Sequence, residues 1–350
     1  METPNKILEI LLKVIQSGEL TINEEQHKSV RLFEKCRTQD LGRQVHQCPH
    51  CQTQVICYNP CNKRGCPSCF LKNQLSWLYR SLPRVLPTEH IHLVFSIPQR
   101  YTLEWLNNKK DIIRDLFRSV DSTLKDLEKS TGLSLGRVLV FHSHCQGLGY
   151  KPHIHCVLTN GGLDSEQRWK PLGPLPLQKM KEYFEKRFKK IRKESLTNKD
   201  TGTWEVFARK HEKSSKAIFN YLAQSVNAVH IQIDSQFEKV HKDMLRISDK
   251  KSGESRYTEM EEVTFAKRYL NHIPPERTVI IRYYGLYANR QTDKLEQAKN
   301  QLGIKPVEPK EQNVPLCPNC HEKMILVLVE WKKNNKTIDK YRPPDQRAAI

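Results

Sequence analysis

No stretch of this sequence approaches the ~18 consecutive apolar residues that a membrane-crossing helix requires, which excludes a helical membrane protein. Residues 1–20 are amphipathic but interrupted by polar side chains, so they lack the apolar core of a secretory signal. Internal repeats are also missing, which sets aside a repeat array. Acidic residues are scarce beside basic ones: 39 Asp and Glu face 58 Lys and Arg, giving a net charge of +19 and a pI near 9.4. An indifferent surface does not carry such an excess. Phosphate backbones are its usual partner, although an anionic membrane surface would feel the same field. These absences predict a soluble, cytoplasmic chain that meets nucleic acid.

Cysteine is not scarce. The chain has 11, several in C-x-x-C pairs, and without a secretory signal that pattern favours metal thiolates over disulfides. At 350 residues there is room for one substantial core and a smaller module. Apolar spacing predicts one or two helices over 1–35, then an irregular cysteine-rich stretch over 36–80. A strand at 91–97 closed by Pro98 precedes a helix over 102–130. Strands follow at 138–141, 152–159 and 204–208, with a basic helix over 176–193. Further on are a helix over 214–226, a short strand at 231–233 and a helix over 262–272 stopped by Pro274 and Pro275. Regular βαβ alternation is missing, so the fold class expected is α+β, a mainly antiparallel sheet with flanking helices preceded by a small Cys-rich zinc-binding module. The corresponding domains are 1–86, 87–292 and a polar, basic tail over 293–350.

Two knuckles, Cys48-Pro-His-Cys51 and Cys66-Pro-Ser-Cys69, supply the four thiolates of a tetrahedral zinc site. Such a site has no open position and serves folding rather than chemistry. Cys57 and Cys61 are then surplus, either buried thiols or parts of a second site with His46 or His50. Cys317 and Cys320 make half a site, to be completed by His321, another segment or a partner chain. Lys63, Arg64 and Lys72 beside the knuckles are placed to meet phosphates.

His153-Ile154-His155 lies in a strand read as ending at Gly161-Gly162. Alternation puts both imidazoles on one face with Ile154 on the other, and two such imidazoles can hold one metal ion. In the helix over 179–193, Lys186, Lys189 and Lys190 are candidate DNA contacts, whereas the spacing of Phe184 and Phe188 suits a core. Ordinary hydrogen bonding on a sheet accounts for His92, His142 and His144, and ordinary core packing accounts for Tyr221 between Ile218 and Leu222.

In order, the chain contains Cys61-Asn-Lys-Arg-Gly-Cys66-Pro-Ser-Cys69, His92-Leu-Val-Phe-Ser-Ile-Pro98, and His153-Ile-His155-Cys with Gly161-Gly162-Leu163. Tyr221-Leu-Ala and Arg282-Tyr-Tyr-Gly-Leu-Tyr-Ala-Asn-Arg290 follow. Over roughly 40–292 this series resembles the zinc-binding rolling-circle transposases of the ninety-one family of bacterial insertion sequences. These are His-hydrophobe-His tyrosine endonucleases, as are plasmid replication initiators and relaxases. The resemblance implies a nuclease-like sheet, structural Zn²⁺, and a catalytic Mg²⁺ or Mn²⁺ on His153 and His155. It implies Tyr221 as the nucleophile that cuts and rejoins single-stranded DNA at transposon ends and target through a 5′-phosphotyrosine. Ser225 stands one helical turn on, where two-tyrosine members carry a second tyrosine, so the single-tyrosine version is the nearer likeness. Tyr283, Tyr284 and Tyr287 are rival nucleophiles, but with Arg282 and Arg290 beside them they suit DNA contact or sheet packing better. A third metal ligand is expected from Gln146 or Gln224, with His142 and His144 as lesser alternatives. A homo-oligomer is compatible with the resemblance. Two other readings keep the same residues: a replication initiator or relaxase, and a zinc-dependent DNA-binding protein without nuclease activity.

Overall fold

A computed structural model describes residues 5–194, 202–210, 215–223, 237–241, 243–251, 254–303, 315–333 and 336–341. Helices α1 (Lys6–Gln16) and α2 (Glu24–Glu34) open the chain. Asn5 and Asn23 cap them, and Gln26 returns a bond to the Asn23 amide, so local chemistry sets where each starts. Strands β1 (Gly42–Gln47) and β2 (Gln54–Tyr58) and helix α3 (Phe70–Ser81) follow. Next come β3 (His90–Ser96), α4 (Tyr101–Asn107), α5 (Lys109–Thr131), β4 (Ser134–His144), β5 (Tyr150–Leu163) and β6 (Trp169–Pro171). After them lie α6 (Leu177–Ile191), β7 (Glu205–Lys210) and α7 (Ser215–Ala223). A small sheet of β8 (Phe237–His241), β9 (Met244–Lys251) and β10 (Glu254–Glu261) leads to α8 (Glu262–His272) and β11 (Ile281–Gly285). Helix α9 (Thr292–Gln301) and the hairpin β12 (Ile325–Lys333) and β13 (Lys336–Tyr341) complete it.

The expected helix over 102–130 is two helices, because Asn108 leaves helical geometry at φ −131° and ψ 54°. The strand expected at 231–233 lies outside the described residues. β5 does not end at Gly161-Gly162 but runs through them. A Cβ at Gly161 would stand 2.8 Å from the Lys170 carbonyl oxygen, so glycine admits the close approach of β6.

Two compact units emerge, Lys72–Val307 and a second that joins Met1–Leu71 to Glu308–Ile350. In the first, antiparallel strands run in the order β11-β4-β5-β3-β7, with β6 beside β5. The two faces of this sheet differ. Leu93, Phe95, Leu139, Phe141, Ile154 and Cys156 point to one face, where α4, α5 and α6 cover them with residues such as Trp105, Leu116, Leu124 and Phe184. Val138, Val140 and Val157 point to the other and pack with Ile218, Phe219 and Leu222 of α7. Arg137, on the α5 side, is buried between Asp121 at 3.0 Å and Glu128 at 2.7 Å. Both carboxylates offset the cost of hiding its charge.

In the other unit the sheet order is β13-β12-β1-β2, antiparallel throughout. The expected C-terminal tail is therefore divided: α9 belongs with the large unit, and β12 pairs with β1. Gly42 has φ +87°, and a Cβ there would collide with the Glu330 backbone across that seam. The Asn59 amide donates to the Glu330 carbonyl at 2.7 Å and the Leu41 carbonyl at 3.0 Å, closing the same junction.

Two buried histidines make the large unit acid-sensitive. Burial pulls His90 and His272 down from 6.5 to about 4. His90 Nε2 lies 2.7 Å from the Tyr287 hydroxyl, and His272 lies between Ser143 Oγ and the Leu148 carbonyl, both at 2.9 Å. Folded-state pKa values below the unfolded one mean that unfolding takes up protons. Stability is then fully present above pH 6.5 and is lost as pH falls towards 4. Each histidine should cost about 2 kcal/mol by pH 5. Denaturant titrations at pH 7 and pH 5 should show a lower midpoint at pH 5, with a smaller difference in His272→Gln; equal midpoints would remove the argument.

Candidate active site and metal centres

His153 and His155 lie on β5 with Val157, and His142 on β4 pairs directly across from His153. Antiparallel partners share a face, so these three imidazoles stand on the α7 side of the sheet with Val138 and Val140. One ring nitrogen of each lies within 4.8 Å of the other two. His153 Nε2 and His155 Nε2 are 2.9 Å apart. Adjacent ligands of an octahedral ion at about 2.1 Å sit about 3.0 Å from each other, so the spacing fits one shared cation.

The neighbours set the tautomers. His153 Nδ1 lies 2.6 Å from the Lys151 carbonyl, which can only accept, so the proton is on Nδ1 and the Nε2 lone pair faces the group. Burial holds His153 near 4, hence neutral and able to ligate at pH 7. His155 Nδ1 lies 2.7 Å from His92 Nε2. For His155 Nε2 to act as a ligand, its proton must sit on Nδ1 and be accepted by His92. His92 thus holds His155 as an outer partner holds a metal-bound imidazole.

Of the expected third ligands, the Gln146 side chain and Gln224 lie outside the described residues. Among the described residues His142 completes the trio. The sequence offers it only as a lesser alternative to the glutamines and otherwise as an ordinary sheet histidine, because the pairing of β4 with β5 that sets it opposite His153 is not written in either strand alone. Tyr221 falls within α7, and its side chain lies outside the described residues. Its rivals are engaged elsewhere. Tyr287 is buried with its hydroxyl beside His90 and accepting from the Leu86 amide at 3.1 Å. Tyr283 accepts from Trp77 Nε1 at 2.8 Å, and the Arg137 guanidinium lies over the Tyr284 ring, 5.7 Å from its centroid.

The cysteines correct the expected zinc site. Cys48, Cys51, Cys66 and Cys69 do not form one group; each knuckle takes different partners. Cys66 and Cys69 join Cys36 and Cys61, with Cys69 Sγ 3.4 Å from Cys36 Sγ and 3.8 Å from Cys61 Sγ. A tetrahedron of sulfurs at about 2.3 Å from zinc has edges of about 3.8 Å, which these thiols fit. Within this group the Cys36, Cys61 and Cys66 thiols push Cys69 below the ordinary thiol range, while Cys36 beside them pushes Cys61 and Cys66 above it, so four thiols this close share charge unevenly unless a cation joins them. Cys48 and Cys51 meet Cys317 and Cys320 instead, so another segment and not His321 completes that half-site, while Cys61 takes Cys36, Cys66 and Cys69 as partners rather than His46 or His50. Cys57 is exposed and belongs to neither. Sequence reading missed Cys36, which has no C-x-x-C neighbour to mark it.

The candidate DNA contacts also divide. Lys186, Lys190 and Arg290 are exposed, and the two lysines line a groove of about 690 Å³ with Lys129, Lys179 and Arg187 between α5 and α6. Lys189 is a correction: it is 3 % exposed and paired with Glu185 at 2.7 Å, so it does not face a ligand. Arg282 lies over the Phe117 ring at 4.5 Å. Lys63 and Arg64 are half-buried. No helix among the described residues is long and apolar enough to cross a membrane.

Residues 8–97 match the family model described as "Transposase zinc-binding domain", and residues 136–294 match the one described as "Putative transposase". The first contains Cys36, Cys61, Cys66 and Cys69; the second contains His142, His153 and His155. The chain is 26% identical over 361 residues to "Putative transposase y4qJ" of Sinorhizobium fredii (strain NBRC 101917 / NGR234), covering 88% of this chain and 90% of that protein. It is 24% identical over 274 residues to "Transposase for insertion sequence element IS801" of Pseudomonas savastanoi pv. phaseolicola, covering 70% of this chain and 65% of that one. No solved structure matches it. Matches to a transposase zinc-binding domain and to a putative transposase thus follow one another along this chain.

Proposed function

We propose that the chain cleaves and rejoins single-stranded DNA during transposition by tyrosine transesterification, as a single-tyrosine member of the His-hydrophobe-His enzymes. One observation carries this reading: α7, the helix of Tyr221, packs on the sheet face that bears His142, His153 and His155. A helix on the α5 side would have separated nucleophile and histidines by the thickness of the sheet.

His142, His153 and His155 would hold a Mg²⁺ or Mn²⁺ ion, which would supply the Lewis acidity that polarises a phosphodiester. Protein groups do the rest. Lys151 and His92 fix the two β5 imidazoles in the ligating tautomer. A phenol has a pKa of about 10 and is a weak nucleophile at pH 7, so proximity matters. Attack by the Tyr221 oxygen forms the Tyr–O–P bond, breaks the bond from phosphorus to the 3′ oxygen, and leaves that oxygen to take a proton. The 5′-phosphotyrosine keeps the energy of the broken bond, so a 3′-hydroxyl can reverse the step without ATP.

Incubating the protein with labelled single-stranded and duplex oligonucleotides and Mn²⁺ tests the proposal on a denaturing gel. The expected result is a covalent adduct with the single strands. Salt-sensitive binding with no adduct on any strand would favour the DNA-binding reading instead. His92→Phe should weaken Mn²⁺ by about 10–100-fold with the fold intact, the usual effect of losing an outer partner. An unchanged Mn²⁺ titration would show that His92 plays no such part.

Lys186 and Lys190 are proposed to hold the DNA backbone in the α5–α6 groove. For single strands each phosphate contact contributes about 0.7 to the slope of log affinity against log salt. Lys186→Gln/Lys190→Gln should flatten that slope by about 1.4. Fluorescence anisotropy at several salt concentrations reads it; an unaltered slope would place the DNA elsewhere.

A further inference from the structure

Cys48, Cys51, Cys317 and Cys320 bring together the two ends of the chain, and the latter pair lies beyond both matched segments. The two pairs sit in copies of one turn. The Cys48 amide donates to the Thr53 carbonyl at 2.9 Å and the Gln52 amide to the Cys48 carbonyl at 3.0 Å. In the other copy the Cys317 amide donates to the Glu322 carbonyl at 2.8 Å and the His321 amide to the Cys317 carbonyl at 2.9 Å. Each pair has proline after its first cysteine, at Pro49 and Pro318. The residue after each second cysteine is left-handed, Gln52 at φ 61° and His321 at φ 60°. Non-glycine residues enter that region at a cost, and the two lie at equivalent places of the same turn.

The sulfurs face one another: Cys48 to Cys320 at 3.5 Å, Cys51 to Cys317 at 3.4 Å and Cys51 to Cys320 at 3.6 Å. None is in a disulfide. The separations approach the tetrahedral edge of about 3.8 Å, and four thiolates leave no open position. The β1–β12 ladder begins right beside the turns, at Gln47 opposite Ile325. Met324 packs beside Cys48 and Cys317.

We propose that these four cysteines hold a second structural zinc ion, which clamps the C-terminal hairpin onto the N-terminal module. The ion would join residues 266 apart in sequence, Cys51 and Cys317. The module is then complete only once the C-terminal segment has been made. This inference does not depend on the nuclease chemistry.

Zinc analysis of the full-length protein by mass spectrometry tests it. Wild type should carry two ions per chain, Cys317→Ser/Cys320→Ser one, and Cys36→Ser/Cys61→Ser one. A single ion in wild type that persists in Cys317→Ser/Cys320→Ser overturns the proposal. Native alkylation of wild type reads the same site without a variant that must fold. Cys51 is exposed, as are Cys57 and Cys145, so only a bound ion would shield it. Cys51 and Cys320 should resist iodoacetamide until zinc is chelated, while Cys57 reacts at once. Reaction of Cys51 and Cys320 as fast as Cys57 in untreated protein overturns the proposal equally.

Discussion

Tyr221→Phe should abolish both strand cleavage and the covalent protein–DNA adduct while leaving zinc content and DNA affinity in place. The change removes one oxygen from a helix whose anchoring residues are Ile218, Phe219, Leu222 and Ala223, all buried, so α7 keeps its packing. Losing a covalent nucleophile typically costs on the order of 10⁴–10⁶ in rate, which here means no detectable product. The other candidate hydroxyls cannot easily take over. Tyr287 is buried, with its pKa raised first of all by that burial, and Tyr283 is held by Trp77 and lies 3.2 Å from Ser81. Circular dichroism and zinc analysis would show that the variant is folded. An adduct at wild-type level in folded Tyr221→Phe would move the nucleophile to another residue.

His153→Ala and His155→Ala should each lower cleavage by about 10³-fold or more, because the site then loses one of three groups that place positive charge beside the phosphate. Single-strand affinity should change little, since the basic groove is separate from these residues. His142→Ala distinguishes the observed trio from a site completed by glutamine. If His142 is a ligand, Mn²⁺ dependence of cleavage shifts to higher concentration; if a glutamine supplies that group, the titration stays where it was. Retention of full activity in either β5 variant would contradict the metal reading.

Much of the fold was legible because local patterns agree with the tertiary answer. Ile91–Ile97 is a largely apolar run broken by His92 and Ser96, and His90–Ser96 becomes a strand buried on both faces. Leu116, Val120 and Leu124 recur at helical spacing and become the buried side of α5. His153 and His155 could be placed on one face from the strand period alone. What stayed hidden depends on pairings distant in sequence. His142 becomes a site residue only when β4 and β5 are put in register. Cys36 acquires partners only when residues 61–69 fold back beside it, and the Cys317 pair only when β12 joins β1. The polar composition after residue 289 suggested a tail, yet β12 pairs along β1 because backbone hydrogen bonds and two cysteine turns hold it there. Lys189 shows the opposite error: charge suggested exposure, but its place beside Phe188 and opposite Glu185 buries it.

Peptide mapping of the trapped adduct is the most direct test. Wild-type protein, Mn²⁺ and a single-stranded substrate should yield, after protease and nuclease digestion, one peptide whose added nucleotide mass fragments to Tyr221. The label should be on the 5′ phosphate and the released strand should end in a 3′-hydroxyl. Nucleotide on Tyr283, Tyr284 or Tyr287, or cleavage without any bound nucleotide, would contradict the account.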